Sequence, residues 1–331
     1  MRVTNNMTVK TVISNIQKNT ERLDSTNRKL STGKRINIPQ DDPSGTIKAM
    51  AFRSALEEID QYIRNVDSGQ SLLQTTDIAL GQITDVLQRF RELSVKAANG
   101  TFEQNSLDAI GDEMSQLLDE AVGIANTKLG SKYIFGGFQT VSPPFVSYTG
   151  NTDEGVDGSG PDLIDINGNV REGINSDYVT IVKYNGDSGK IVIEIDENVR
   201  TTTNINGQEA FLDIDNVFEA MINTRNSIYR GEVKDITGDG ISIQDGIESL
   251  QNSIDKIIRY RSEVGAKMHR LGSQDRKLND QKLNITDLMS KIEDTDVTEA
   301  IMDLKVQESV QRMSLSVGAR VIQPTLLDFL R

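Results

Sequence analysis

LQNSIDKIIRYRSEVGAKMHRLGSQDRKLNDQKLNITDLMSKI, residues 250–292, carries an apolar side chain at every seventh position: Leu250, Ile257, Val264, Leu271, Leu278, Ile285 and Ile292. Such a repeat lines one narrow stripe of an α-helix and asks for a second helix with a matching stripe. A matching stripe lies upstream, where Ile59, Val66, Leu73, Leu80 and Leu87 keep the same step and Tyr62, Ile83 and Phe90 fill the flanking row. The upstream helix is expected to start at Asp42-Pro43, a carboxylate cap with proline at the first helical position. It is expected to end near Ala98, before Asn99-Gly100. A third pattern, Leu107, Met114 and Ala121 beside Ile110, Leu117 and Ile124, predicts an antiparallel neighbour ending near Leu129-Gly130.

Shorter seams occupy the two ends of the chain. Val9, Ile16, Leu23 and Leu30 step by seven, with Ile13 in an intermediate slot. Val297, Ile301, Leu304, Val310 and Leu315 lead towards Val321, after which Gln323-Pro324 ends or kinks the helix and leaves the apolar tail Leu326, Leu327, Phe329 and Leu330. Polar joints separate both end seams from the long helices. The first, LSTGKRINIPQDDPSG at residues 30–45, is broken by Gly33, Pro39 and Pro43 and carries Lys34, Arg35, Asp41 and Asp42, with Asn37 between them. The second, DTDVTE at residues 294–299, has the Asp296–Glu299 spacing of a capping box.

Between the long helices, Tyr133-Ile134-Phe135-Gly136-Gly137 opens a region of short strand-like runs, Tyr178 to Tyr184 and Lys190 to Ile195, followed by a short helical pattern at Val217 to Ile228. The element order is a near palindrome, so the chain is expected to run out and return, with its two joints side by side. The expected fold is mainly α: an elongated coiled-coil helical bundle from N- and C-terminal arms with a small β-rich insert domain at the tip. Its expected parts are a terminal helical domain with its joint (1–45 and 294–331), a helical rod (46–138 and 208–293) and the insert (139–207).

Composition agrees with slender helices. Only 5% of residues are aromatic and there is no Trp or Cys among 331 residues, too little for one thick core. The net charge of −13, without a basic patch, speaks against nucleic acid as a partner. The absence of cysteine excludes disulfides and thiolate chemistry. The N-terminus lacks the apolar core of a secretory leader and no segment reaches spanning length, so no membrane partner is expected. His269 is the single histidine and is read as structural, which excludes His-based metal sites and triads. Calcium loops starting at Asp153 or Asp235 fail at the twelfth position, where Ile164 and Gly246 stand. Lys34 follows a glycine without the phosphate-loop spacing, and Asp41 and Asp42 read as a cap or as ion-pair partners of Lys34 or Arg35. No enzyme activity, cofactor or metal is expected.

The end seams are too small to satisfy one another. Two lone helices leave much of each surface uncovered, so the arms are expected to complete their burial against other subunits. The candidate assembly interface is Val9, Ile13, Ile16, Leu23, Leu30, Ile301, Leu304, Val310, Leu315, Val321, Leu326, Leu327 and Phe329. The candidate joint residues are Gly33, Arg35, Asn37, Asp41 and Asp42, with Arg35 paired to Asp41 or Asp42.

The terminal seams, LSTGKRIN followed by DDPSG, and Leu87-Gln88-Arg89-Phe90-Arg91-Glu92-Leu93 leading to Ala97-Ala98-Asn99-Gly100-Thr101 resemble the bacterial flagellin superfamily. The start MRVTNNM, the stretch from Tyr133 to Phe145 and the end ARVIQPTLLDFLR resemble its branch of third hook-associated, or hook-filament junction, proteins. The resemblance covers the helical arms and not residues 146–207. It implies a structural role in the flagellum, export through the growing flagellum, and the following partners: other copies of the chain, the first hook-associated protein, flagellin, an export chaperone and the secretion apparatus. It also implies that the terminal pair forms an inner tube, the joint a spoke to the rod, and the insert an outward face. A minor or short flagellin is the alternative, and a surface adhesin acting through the insert a more distant one.

Overall fold

In the computed structural model of the chain, residues 2–99, 102–150, 179–213, 216–229 and 242–322 are described. They form α1 (Arg2–Thr32), α2 (Pro43–Ala98), α3 (Gln104–Ala125), α4 (Val217–Tyr229), α5 (Ile243–Glu293) and α6 (Val297–Ile322), and strands β1 (Lys128–Leu129), β2 (Lys132–Tyr133), β3 (Phe145–Gly150), β4 (Val179–Tyr184), β5 (Val192–Asp196) and β6 (Val199–Thr202). The fold is mainly helical, with three two-stranded antiparallel pairs, β1–β2, β3–β4 and β5–β6. Packing divides it into two units, residues 1–61 with 278–331 and residues 62–277.

In the larger unit the seven-residue seams do what their spacing requires. Val66, Leu73, Leu80 and Leu87 of α2 and Leu250, Ile257, Val264 and Leu271 of α5 are all fully buried. Each contributes roughly 1.5–3 kcal/mol relative to exposure. Asp77 of α2 pairs with Arg261 of α5 at 3.3 Å, and Gly69 lies against Leu271, so the two helices run antiparallel here. On α3 the buried row is Leu107, Ile110, Met114, Leu118, Ala121 and Ala125, with Leu118 rather than Leu117 fully inside. The difference follows from α4, which packs along that side of α3 and sets Tyr229 against Gly111. The helix also stops at Ala125, not at Leu129: Gly130, at φ +63°, turns the β1–β2 hairpin there.

The strand-rich stretch belongs to this same packed unit. Phe135, Phe145, Phe211 and Phe218 form one cluster of buried rings closed by Tyr184. The β5–β6 hairpin turns at Asn198, which adopts φ +59°. It is fastened to α5 by Asp196, which accepts from Lys277 Nζ at 2.5 Å and Gln274 Nε2 at 3.0 Å, and to α2 by Asn65, which donates to the Glu194 carbonyl at 2.8 Å. His269 faces solvent on α5.

In the smaller unit, Asp60 of α2 pairs with Lys282 of α5 at 2.7 Å. Ile59 and Leu278 are buried, while Ile285 and Ile292 are only half-buried. The same unit holds α1 packed along α6 and both joints.

Candidate assembly interface

The two joints are zipped together by backbone. Gly33, at φ +69°, ends α1 in the left-handed conformation a non-glycine residue resists. Beyond it Arg35 N–H donates to the Glu293 carbonyl at 2.6 Å and Thr295 N–H to the Gly33 carbonyl at 2.9 Å, an antiparallel bridge between Lys34 and Asp294. Chain reversal therefore brings residues 33–35 beside 293–295, as the palindromic order implies.

Side chains complete the junction. Glu293 is buried, and its carboxylate accepts from Lys34 Nζ at 2.9 Å and from Arg53. Of the two carboxylates expected to meet Arg35, Asp42 does so, at 3.3 Å, and the same guanidinium donates to the Ile292 carbonyl at 2.8 Å. Asp42 also caps α2, accepting from Gly45 N–H at 2.9 Å. That bond, with the Arg35 guanidinium, holds its carboxyl below the usual range against a smaller opposing effect of burial. Asp41 instead folds the turn before the helix, accepting from Asn37 N–H at 3.0 Å and Ile38 N–H at 3.1 Å. Burial pushes its carboxyl up, but those two N–H groups and the nearby Lys29 and Arg28 outweigh it, and the net shift is downward. Asn37 returns a bond from Nδ2 to the Lys34 carbonyl at 2.8 Å. On the far side Asp296 caps α6 through Thr298 and Glu299 N–H.

The helix pair leading away from this joint is less apolar than its sequence suggests. On α1 the side turned from solvent is Val9, Val12, Ile16, Asn19, Leu23, Thr26 and Leu30, in steps of three and four; Ile13 points out. On α6 the matching side is Ala300, Leu304, Gln307, Gln311, Ser314 and Gly318. Asn19 Nδ2 donates to Ser314 Oγ at 2.9 Å, Gln311 Nε2 donates to Thr20 Oγ1 at 3.0 Å, and Gly318 lets Ile16 approach closely. Among the described side chains of the expected α6 seam only Leu304 turns toward α1. Ile301 (48% exposed), Val310 (37%) and Leu315 (52%) face solvent. The reason is angular: residues spaced by three and four from Ala300 lie on one side, and Val310 falls about a quarter turn away.

The exposed apolar residues of α6 are ordered. Met302, Val306, Val310, Met313 and Val317 step by four, four, three and four, which keeps them in one narrow row. It lies ~120° around the helix from the side that meets α1. All five are exposed, Val306 at 62%. So α6 carries two seams, one used within the chain and one open. Val321 lies in α6 with only its backbone described, and Leu326, Leu327 and Phe329 fall outside the described residues. Glu293, Arg53 and Gly45 escaped sequence reasoning. A Cβ at Gly45 would meet Asp42 Oδ2 at 2.5 Å and Ile36 Cδ1 at 2.6 Å, so a glycine after an Asp-Pro cap was the one available signal.

Residues 3–140 match the family described as bacterial flagellin N-terminal helical region, and residues 246–330 its bacterial flagellin C-terminal helical region. The chain belongs to the flagellin family. Proteins of this family are structural components of the flagellum, not enzymes. Flagellin of Escherichia coli O127:H6 is 44% identical over 107 residues, 32% of this chain and 20% of that protein. The chain thus matches about a fifth of the length of that relative. Polar flagellin F of Vibrio parahaemolyticus is 25% identical over 92% of both chains. Among solved structures, flagellar hook associated protein-3 from Legionella pneumophila aligns with a TM-score of 0.56 at 13% identity, over 73% of this chain and 98% of that one, a likeness of fold. Among the described residues no helix is long and apolar enough to cross a membrane, and no cluster could hold a metal ion.

Proposed function

We propose that this chain is the junction component between hook and filament, assembling through its terminal helices. The observation that carries the reading is the open seam of α6, Met302, Val306, Val310, Met313 and Val317: a narrow apolar row in steps of three and four is the complement of another helix. A neighbouring copy supplies such helices, with Met7 and Ile13 exposed on its α1. In this reading residues 1–45 and 294–331 form the inner wall of a tube. The Lys34–Glu293–Arg53 and Arg35–Asp42 contacts fasten that wall to the start of α2 and the end of α5, where the rod (46–138 and 208–293) begins, and residues 139–207 form the outer insert. The hook side meets the first hook-associated protein and the filament side meets flagellin. Delivery uses an export chaperone and the flagellar secretion apparatus.

The fold likeness to hook associated protein-3 supports the junction reading. Full-length similarity to polar flagellin F favours the alternative, a short flagellin that builds filament itself. Seeded assembly separates them. Purified chain is offered filament fragments and, separately, hook ends carrying the first hook-associated protein, and the products are viewed by negative-stain microscopy. A short zone on hook ends without extended polymer is the junction result; long filaments of this chain alone are the flagellin result.

A further inference from the structure

The two seams of α6 stand in the wrong order for the stability of the lone chain. The side facing α1 holds Gln307, Gln311 and Ser314, while the open side is apolar from Met302 to Val317. Burial of apolar surface favours α6 turned by ~120°, with Met302 to Val317 against Val9, Ile16, Leu23 and Leu30. Polar contacts oppose that turn. Asn19 stands in the middle of the α1 row and donates to Ser314, and Gln311 donates to Thr20. Turning α6 would press Asn19 onto apolar side chains, and a buried donor left without its acceptor costs more than a made bond contributes. One polar residue in an apolar seam is a known way to fix helix register at some cost in stability. That cost is visible here: Gln307 Oε1 and Gln311 Oε1 are buried without hydrogen-bond partners.

We infer that Asn19, Thr20, Gln311 and Ser314 form a phase-setting layer that holds α6 at the one rotation presenting its apolar seam to a neighbouring copy. The inference rests on the assembly reading above. The joint reinforces the layer from one end, since the Thr295–Gly33 bond and the Asp296 cap fix where α6 starts.

The chain has no cysteine, so introduced thiol pairs report rotation without background. Ile16→Cys with Gly318→Cys marks the observed phase, because a Cβ at 318 lies 3.0 Å from Ile16 Cδ1. Ile16→Cys with Val317→Cys marks the turned one. With a short thiol crosslinker, the first pair should bridge on the order of tenfold faster than the second in the otherwise native chain. Adding Asn19→Leu should bring that ratio to one or below and reduce seeded assembly on the order of tenfold, while Gln307→Leu, which leaves the layer intact, should preserve both. Equal bridging of the two pairs in the native background, or an unchanged ratio with Asn19→Leu, overturns the inference. A changed ratio with unchanged assembly keeps the layer and sinks the assembly reading instead.

Discussion

Glu293 and Lys34, 259 positions apart in sequence, meet at 2.9 Å, with the carboxylate almost wholly buried and the ammonium half exposed. Arg53 reaches the same oxygen, so one carboxylate ties the end of α5 to the first joint and to α2. Breaking a fully buried pair costs about 3–5 kcal/mol. Because both cations are about half exposed, Glu293→Ala should cost less, about 1–2 kcal/mol. Glu293→Gln should cost less again, since it keeps an acceptor. Urea denaturation of the three proteins checks the order.

The joint should loosen in acid and not in base. Asp41 and Asp42 have folded pKa values below their ordinary 3.8, so their contribution is present above about 3.8 and is lost as the pH falls through the depressed folded values. Amide-exchange protection factors across residues 33–46, corrected for the intrinsic pH dependence of exchange, should therefore be flat from pH 8 to about 5 and fall below about 4. Asp42→Asn should weaken that acid response. An equal response in the variant would assign it to other carboxylates.

Gly45→Ala should damage the start of α2 although alanine is the better helix former. Its Cβ has no room beside Asp42 Oδ2 and Ile36 Cδ1, so the cap must move, at about 1 kcal/mol. Faster amide exchange at residues 44–46 with unchanged exchange in α3 is the expected signature.

Away from the joint, Tyr184 Oη lies within 3.0 Å of the Phe135 and Asp187 carbonyl oxygens and of Asn206 Oδ1. Burial, with Asp187 nearby, pushes its hydroxyl up to about 12. A raised folded pKa gives stability that is complete below the unfolded value near 10 and is lost as the pH climbs through about 12. Tyr184→Phe should cost about 1–2 kcal/mol at neutral pH and remove that alkaline step, as read by thermal unfolding across pH 8–12.

The long helices were legible because Leu73, Leu80, Ile257 and Val264 are large, apolar and regularly spaced, and each is buried by the shortest-range consequence of that spacing. The Asp42 and Asp296 caps were legible for the same reason: a cap acts within three residues. What sequence could not reveal was α6. Apart from Leu304, its side toward α1 is built of Ala300, Gln307, Gln311, Ser314 and Gly318, residue types that carry little hydrophobic signal, whereas Ile301, Val310 and Leu315 point outward. Glu293 was invisible for a different reason. A buried carboxylate is recognisable only by partners such as Lys34 and Arg53 that the chain brings from far away. The end of α3 was misplaced because the polar Asn126 closes it, bonding to both the Phe145 N–H and its carbonyl, before Gly130 is reached.

The most direct test of the account is Val306→Asp combined with Val310→Asp. Both side chains are exposed in the lone chain, so circular dichroism and unfolding midpoint should stay within experimental error of the native protein. Addition to hook ends or filament seeds, counted by electron microscopy, should fall at least tenfold, because a charge would have to be buried in the apolar contact between copies. Unimpaired addition by the doubly charged variant would contradict the account, for the open seam of α6 would then not be where copies meet.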